Sequence, residues 1–220
     1  MKVGTDGVLL GAWTFIPETS RRILDIGTGT GLIALMAAQR HLTAAIVGVE
    51  IDASSARQAC ENVADSQWGD RIEIVHGNIQ SYNPAERFDL IVSNPPFYNG
   101  TLISPDNERT LARHTVSLSF KELMSAAERL TAPDGRFSVI VPSEASGTLV
   151  AAGNMHLVRR CDVRTKPSKP PKRTMLEFSP VFCGAPVFEE LSIYDDCGNY
   201  TAQYRTLTED FYLKLQPKEV

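Results

Sequence analysis

The sequence predicts one α/β domain with a mostly parallel sheet and helices on both of its faces. Short apolar strands alternate with helical segments up to Ser93, which is typical of a parallel sheet. A chain of 220 residues, 43% hydrophobic and 22% charged, has the size and composition of one such domain. The glycine-rich turn 27–31 follows the first predicted strand directly, at the place where α/β proteins commonly bind nucleotides.

The first half of the chain shows the clearest alternation. A short apolar helix is predicted over 8–15, between a loop with two glycines and Pro17. Residues 32–40 are rich in Ala, Leu and Met, which favour a second helix, and a third is predicted over 53–66. The predicted strands are 22–26, 45–50, 71–75 and 88–93.

The second half begins with a polar stretch, 96–115, which is long enough to serve as a substrate loop or lid. Two strands at 190–194 and 200–204 flank the turn 195–199 and predict a β-hairpin. A last short helix is predicted to be capped at Thr208. The other predicted elements are helix 119–130, turn 133–135, strand 136–141, helix 143–153, and strands 156–165 and 174–178.

Composition excludes several classes of protein. The four cysteines and four histidines show neither close pairing nor metal-ligand spacing, so we expect no metal site and no disulfide framework. No apolar run approaches the length of a membrane span, and Asp6 interrupts any secretory signal core. We therefore expect a cytoplasmic protein. The net charge of −4 argues against a globally basic nucleic-acid binder but permits a local basic patch.

The glycine turn and an acid at the end of the next strand predict a cofactor site. Asp25 precedes a Gly-x-Gly-x-Gly spacing, whose N–H groups are expected to point outward toward a ligand. Glu50 closes the second strand where ribose-binding acids lie in nucleotide folds. The dinucleotide fingerprint would require a third glycine at Leu32, so the pattern indicates a ribose-bearing cofactor other than NAD. For the glycines alone, a tight structural turn is the alternative.

A second candidate site is Asn94-Pro95-Pro96-Phe97, directly after the fourth strand. Pro95 lacks an N–H and ends the strand, and it holds Asn94 in an extended conformation. An amide oxygen and backbone carbonyls beside an aromatic ring can accept hydrogen bonds from an NH2 group while a flat ring stacks. The alternative is a proline-rich loop after a buried strand.

A basic segment follows in the second half of this otherwise acidic chain. Prolines stiffen its middle, which limits the entropy lost when it is ordered. It predicts contact with a nucleic-acid backbone, with a solvated loop as the alternative. Arg109, Arg113 and His114 either contribute or are simply solvated. The segment contains Arg159, Arg160, Arg164, Lys166, Lys169, Lys172 and Arg173.

With these motifs, the chain resembles the class I S-adenosylmethionine-dependent methyltransferases, in the branch that methylates planar nitrogen. The closer resemblance is to the bacterial tRNA1(Val) adenine-37 N6-methyltransferases. It covers the whole chain and includes the opening 1–13, Asn94 to Tyr98, the Lys/Pro-rich segment before 174–178, and the ending 207–212. The motifs shared with the wider class are Asp25 to Gly31, Glu50, Gly77-Asn78 and Asn94 to Phe97.

The resemblance implies one Rossmann-like domain over 1–220, with a mostly parallel seven-stranded sheet, a C-terminal hairpin and a short helix. It divides into a cofactor-side loop and helix (1–20), a core (21–180) and the hairpin with its helix (181–220). It implies methyl transfer from S-adenosylmethionine to N6 of adenine 37 in the anticodon loop of tRNA1(Val). We expect a tRNA partner, no metal, no membrane contact and a monomer.

The resemblance also implies roles for individual residues. The catalytic set is Asn94, Pro95, Pro96 and Phe97. The cofactor set is Lys2, Thr5, Asp6, Asp25, Gly27, Thr28, Gly29, Gly31, Glu50, Ile51, Asn78 and Asn94. The RNA-binding set is Arg164, Lys166, Lys169, Lys172 and Arg173.

Two departures from the family and several alternatives remain open. The chain starts inside the first motif, so residues that help to close the site are expected upstream, and Asn78 stands where many class I enzymes have an acid. The acceptor could instead be a guanine N2 in rRNA, a DNA adenine or a protein glutamine. Two other classes are a non-catalytic RNA-binding scaffold and an NAD-dependent oxidoreductase.

Overall fold

A computed structural model describes residues 4–96 and 118–212, and its strands form one mixed sheet. The strand order is β3-β2-β1-β4-β5-β7-β6-β8. Strand β7 runs antiparallel to both of its neighbours, whereas the other neighbouring pairs are parallel. The strands are β1 (Arg22–Ile26), β2 (Ala45–Glu50), β3 (Ile72–His76), β4 (Phe88–Ser93), β5 (Thr131–Pro142), β6 (His156–Arg164), β7 (Pro171–Ser179) and β8 (Val187–Ser192).

Helices cover both faces of this sheet. In the described residues they are α1 (Thr5–Trp13), α2 (Leu32–Arg40), α3 (Ala53–Ala64), α4 (Phe120–Leu130), α5 (Ser146–Val150) and α6 (Ala202–Thr208). Short 3-10 turns, Ser143–Ala145 and Glu209–Phe211, precede α5 and follow α6. This arrangement confirms the predicted α/β fold.

Alternate residues of the central strands feed two apolar layers. On β1, Ile23 packs into the layer beneath α1 and α2, whereas Leu24 and Ile26 pack into the layer beneath α4. The period of two places Asp25 on the same face as Ile23. A carboxyl group therefore points toward the layer that α1 and α2 cover.

Helix α1 begins three residues earlier than the predicted span of 8–15. Gly4 is extended at its N-cap, and Asp6 lies in the first turn, where a negative charge suits the helix dipole. The seven residues from Gly7 to Trp13 are buried, which explains why the helix lacks a polar face. Gly7 and Gly11 let it approach α2 closely, since a Cβ at Gly11 would lie 2.7 Å from Met36 Sδ.

The predicted strand count was one too low, because the first arm of the expected hairpin joins the sheet. That arm is β8, which pairs in parallel with β6 at the sheet edge. The prediction of a second strand over 200–204 is wrong, because helix α6 begins within this range. The side chain of Thr201 caps this helix by accepting the Tyr204 N–H. The turn over 195–199 is present, with an antiparallel bridge between Tyr194 and Tyr200.

Three other local predictions differ from the structure. The turn predicted over 133–135 lies inside β5, at an irregularity in the pairing of β5 with β4. Between two successive paired positions, β5 runs from Thr131 to Arg136 whereas β4 runs only from Phe88 to Leu90. The helix predicted over 143–153 is divided into a 3-10 turn and the short α5. Thr208 ends α6, and its hydroxyl donates to Tyr204 O at 2.8 Å instead of capping the next turn.

Candidate active site

The carboxyl ends of the parallel strands bring the two predicted sites to one edge of the sheet. Ile26, the last residue of β1, pairs with Val49 on one side and with Ser93 on the other. The glycine turn after β1 therefore lies between Glu50 at the end of β2 and Asn94 after β4. Ligand crevices of open α/β sheets lie at this edge.

The three glycines of the turn adopt the left-handed conformation, with φ of 69°, 59° and 85° at Gly27, Gly29 and Gly31. Their N–H groups bond within the protein: Gly27 donates to Val49 O, Gly29 donates to Glu50 Oε2, and Gly31 donates to Thr28 O. The expectation that these N–H groups point outward toward a ligand is therefore wrong. Among the described residues, apart from Gly27 and its two chain neighbours, no atom lies within 4 Å of the Cβ position at Gly27, so the turn offers close approach there instead.

Asp25 is buried beneath this turn. Thr28 Oγ1 donates to Asp25 Oδ2 at 2.6 Å, and Oδ1 has no hydrogen-bond partner among the described residues. Burial raises the pKa of Asp25 to about 7, against the opposing effect of the Thr28 hydrogen bond. Asp25 pairs with Gly48 across β1 and β2, and a Cβ at Gly48 would lie 2.9 Å from Thr28 Oγ1. The glycine at position 48 thus makes room for Thr28 over the carboxyl group.

Glu50 holds the glycine turn from the neighbouring strand. Its Oε2 accepts the Gly29 N–H at 2.9 Å, and its Oε1 accepts the Asp52 N–H at 2.8 Å. A carboxylate has about four acceptor positions, so the two hydroxyls of a ribose can still be accommodated. Asp52 itself caps α3 by accepting the Ser55 N–H.

Two further residues predicted on the cofactor side lie near Glu50. Ile51 is 41% exposed, which leaves an apolar face for a flat ring. Asn78 lies past β3, where its Oδ1 accepts the Gln80 N–H at 2.9 Å and its Nδ2 donates to Gln80 Oε1 at 2.8 Å. Its carboxamide thus shapes a turn, and the Gly77 N–H donates to Glu50 O.

The Asn-Pro-Pro segment leaves β4 at the centre of this edge. Ser93 is fully buried, and its Oγ donates to Ile26 O at 2.9 Å. Asn94 is half-buried, Pro95 is buried and Pro96 is exposed. A Cβ at Gly7 would lie 3.8 Å from Asn94 Nδ2, so helix α1 borders the amide. Phe97, predicted to stack on the acceptor, lies outside the described residues.

The three N-terminal residues predicted near the cofactor, Lys2, Thr5 and Asp6, have different outcomes in the structure. Lys2 lies outside the described residues, and Thr5 is exposed. Asp6 is paired, since its Oδ2 accepts a hydrogen bond from Arg173 Nε at 2.7 Å. Asp6 and Arg173, assigned to different ligands from the sequence, thus contact each other.

The basic segment reaches the same edge, because β7 begins beside the end of β5, where Pro142 pairs with Arg173. Arg164 contacts Glu190 at 3.0 Å, and Lys166 donates to Asp196 O at 3.0 Å. Lys169 and Lys172 are exposed and form no ion pair with the described residues. Arg109, Arg113 and His114 lie outside those residues.

Other basic residues of the segment are structural. Arg159 stacks on the Trp13 ring at 3.8 Å and contacts Glu177 at 3.3 Å. Arg160 pairs with Asp162 at 2.9 Å.

Sequence reasoning missed three contributors to this edge: Gly7 beside Asn94, Gly48 beneath Thr28, and the contact of Arg173 with Asp6. The one usable signal was Gly48 itself, because a glycine inside an apolar strand indicates that something approaches closely. Within 4–96 and 118–212, no group of three His, Cys, Asp or Glu side chains is arranged to hold a metal ion. In the same ranges, no helix is long and apolar enough to cross a bilayer.

Comparison with known proteins adds a family and a fold. The profile of the methyltransferase small domain family matches residues 8–148. The chain is 45% identical to a tRNA1(Val) (adenine(37)-N6)-methyltransferase of Bacteroides fragilis, over 98% of this chain and 92% of that protein.

Two solved structures share the fold at low sequence identity. A predicted O-methyltransferase of Agrobacterium tumefaciens superposes with a TM-score of 0.74 at 18% identity, over 93% of this chain and 96% of the other. A predicted class I S-adenosylmethionine-dependent methyltransferase of Listeria monocytogenes gives a TM-score of 0.60 at 16% identity, over 84% of this chain and 62% of the other.

Proposed function

The chain belongs to the methyltransferase small domain family and, within it, to the family of the tRNA1(Val) (adenine(37)-N6)-methyltransferases, and on that premise we propose its reaction. It transfers a methyl group from S-adenosylmethionine to the exocyclic N6 of adenine 37 in tRNA1(Val). One observation carries the proposal: Glu50 at the end of β2 and Asn94 after β4 lie on the two sides of the same glycine turn, which supports a cofactor site and an acceptor site next to each other at one edge of the sheet. We expect the protein to act as a monomer in the cytoplasm, where tRNA is modified.

The residues around the glycine turn fit the cofactor. The open space at Gly27 admits a ligand close to the backbone, and any side chain there would fill it. Glu50 accepts the ribose hydroxyls with its remaining lone pairs, and the exposed face of Ile51 packs on the adenine ring. When bound, S-adenosylmethionine supplies a methyl group that its sulfonium already activates.

On the acceptor side, the protein must increase the nucleophilicity of the adenine N6 nitrogen. The N6 lone pair of adenine is delocalised into the ring, so it is weak unless it is drawn out of conjugation. Asn94 Oδ1 and the Pro95 carbonyl accept the two N6–H groups and direct the lone pair toward the crevice. Once N6 gains the methyl carbon, with the S–CH3 bond broken and S-adenosylhomocysteine as the leaving group, N6 is a cationic, acidic nitrogen that loses one proton to water, so no side-chain base is required.

The RNA approaches from the side of β7. The exposed ammonium groups of Lys169 and Lys172 contact phosphates, while Arg164 and Lys166 hold the segment in place through Glu190 and Asp196. An adenine must leave its stack to enter the crevice, which costs least in a single-stranded loop. Position 37 of an anticodon loop meets that requirement.

The test is to identify the methylated nucleoside. The protein is incubated with labelled S-adenosylmethionine and tRNA1(Val) transcripts carrying A37 or G37, and the RNA is digested to nucleosides. We expect label in N6-methyladenosine for the A37 transcript and none for G37, with the Asn94→Ala variant as the inactive control. Label in N2-methylguanosine, or in protein only, would overturn the proposal.

A further inference from the structure

Three arginines from other elements hold helix α1. At its C-terminal end, Arg40 Nη1 donates to Gly11 O and to Thr14 O, both at 2.7 Å, and Arg159 Nη2 donates to Trp13 O at 3.0 Å. These bonds satisfy carbonyls that a helix end leaves open, and they suit the helix dipole. The first turn is held by a different contact, Arg173 Nε to Asp6 Oδ2 at 2.7 Å.

The first turn of α1 is the part of the helix that borders the acceptor site. Gly7 follows Asp6 directly, and a Cβ on it would lie 3.1 Å from Leu32 Cδ2 and 3.8 Å from Asn94 Nδ2. The N-cap, Gly4, provides no side-chain hydrogen bond. The ion pair at Asp6 is therefore a side-chain contact that holds this turn beside Asn94, together with the packing of Gly7 on α2.

On the other side, Arg173 is held in the sheet. It pairs with Pro142 of β5 and with Val163 of β6, which places its backbone between two strands of the core. The side chains of Arg173 and Asp6 are 35% and 28% exposed. An ion pair exposed to this extent adds little to stability, so its contribution is to geometry.

We propose that Arg173 is a positioning residue for the methyl transfer: through Asp6 it fixes the first turn of α1 against Asn94. The inference rests on the proposed function and refines it. The sequence suggested Arg173 for RNA binding and Asp6 for cofactor binding, whereas here the two side chains bind each other. Since small displacements of positioning groups slow reactions steeply, disruption of the pair lowers kcat and leaves the affinity for tRNA unchanged.

The test is a double-mutant cycle of Arg173→Gln, Asp6→Asn and the double variant, with kcat and KM for tRNA measured at saturating S-adenosylmethionine. We expect each single variant to lower kcat by about tenfold or more, and the double variant to be no slower than the slower single variant. The exchanged pair, Asp6→Arg with Arg173→Asp, regains part of the missing kcat. The dissociation constant of S-adenosylhomocysteine stays within about twofold of wild type in every variant.

The opposing results are equally clear. A rise in tRNA KM for Arg173→Gln at unchanged kcat, with a smaller salt dependence, would assign Arg173 to phosphate binding and overturn the proposal. Additive losses in the cycle, or weaker S-adenosylhomocysteine binding in Asp6→Asn, would also overturn it. Glu86→Gln breaks a comparable surface pair with Arg22 at the amino edge of the sheet and serves as the matched control, with kcat unchanged. A wild-type protein that forms no N6-methyladenosine refutes the proposed function instead.

Discussion

The backbone N–H of Gly29 donates a hydrogen bond to Glu50 Oε2 over 2.9 Å. This bond joins the turn after β1 to the end of β2, so the glycine turn and the acid that we propose for the cofactor's ribose form one unit. The second carboxylate oxygen of Glu50 accepts the Asp52 N–H at the start of α3. Both oxygens are needed for this geometry.

Glu50→Gln is expected to weaken cofactor binding, because a carboxamide has one acceptor oxygen where two N–H groups and a ribose require acceptors. Hydrogen bonds to charged groups contribute about 1.5–3 kcal/mol each, so the dissociation constant of S-adenosylhomocysteine should rise by about tenfold or more. Isothermal titration calorimetry measures this. Glu73→Gln, on an exposed site of β3, is the control. Equal affinities of the two variants for S-adenosylhomocysteine would show that Glu50 does not bind the cofactor.

Asn94→Ala is expected to abolish turnover while cofactor binding persists. In the proposed mechanism the substitution removes one of the two acceptors for N6–H, and loss of a single aligned polar group at a reacting centre costs about 10²–10³ in rate. Methyl incorporation into tRNA1(Val) and titration with S-adenosylhomocysteine are measured on the same preparation. A variant with near-normal kcat would contradict the assigned role of Asn94.

Asp25→Asn is expected to change how stability depends on pH. Burial raises the pKa of Asp25 from 3.8 to about 7, so the folded chain retains a proton that the unfolded chain releases over this range. The contribution of Asp25 to stability is thus fully present below about pH 4 and is lost as the pH rises to about 7. It amounts to about 4 kcal/mol at most, at about 1.4 kcal/mol per pKa unit.

Urea unfolding of wild type and Asp25→Asn at pH 5 and pH 8 tests this expectation. From pH 5 to pH 8, wild type should lose more free energy of unfolding than the variant does, because an amide does not titrate. Equal losses in the two proteins would show that Asp25 keeps its ordinary pKa.

Gly48→Ala is expected to destabilise the protein by about 1–3 kcal/mol, since its Cβ would lie 2.9 Å from Thr28 Oγ1 and from Ile74 Cδ1. Displacement of Thr28 also breaks its hydrogen bond to Asp25, so cofactor affinity falls too. Gly147→Ala in α5 is the matched control: apart from its own helix, no part of the chain that the structure describes lies within 4 Å of its Cβ position, and alanine favours helix. Denaturant midpoints distinguish the two. Equal midpoints would mean that the β2 contact is not tight.

Lys169→Ala with Lys172→Ala is expected to raise the tRNA KM at unchanged kcat. Both side chains are exposed, Lys169 just before β7 and Lys172 in its second position. If each lysine binds a phosphate, its removal should reduce the slope of log affinity against log salt by about one. Filter binding at several salt concentrations measures the slope. Lys121→Ala, an exposed lysine on α4, should leave it unchanged. An unaltered slope in the double variant would place the RNA elsewhere.

Several elements could be predicted to the residue, because their signals are local. The bounds of β1, β2, β4 and α2 match the predictions: apolar strands end at a glycine, a glutamate or an Asn-Pro, and residues 32–40 favour helix by composition. The error at 200–204 was also local in origin, since tyrosines favour strands. There the capping hydroxyl of Thr201 prevailed over that preference.

By itself, the sequence determined which polar side chains stand at or near the ends of β1, β2 and β4. The end of a strand depends on residues that are neighbours in the sequence. Asp25 and Glu50 could therefore be predicted as a cofactor site, and Asn94 as an acceptor site, from the sequence alone. Only the tertiary structure decided which residues meet. The contact of Arg173 with Asp6 spans 167 positions of the chain, and it exists because β7 lies beside β5 and α1 crosses the same edge. Strand order and helix packing set that proximity, and no local pattern encodes them.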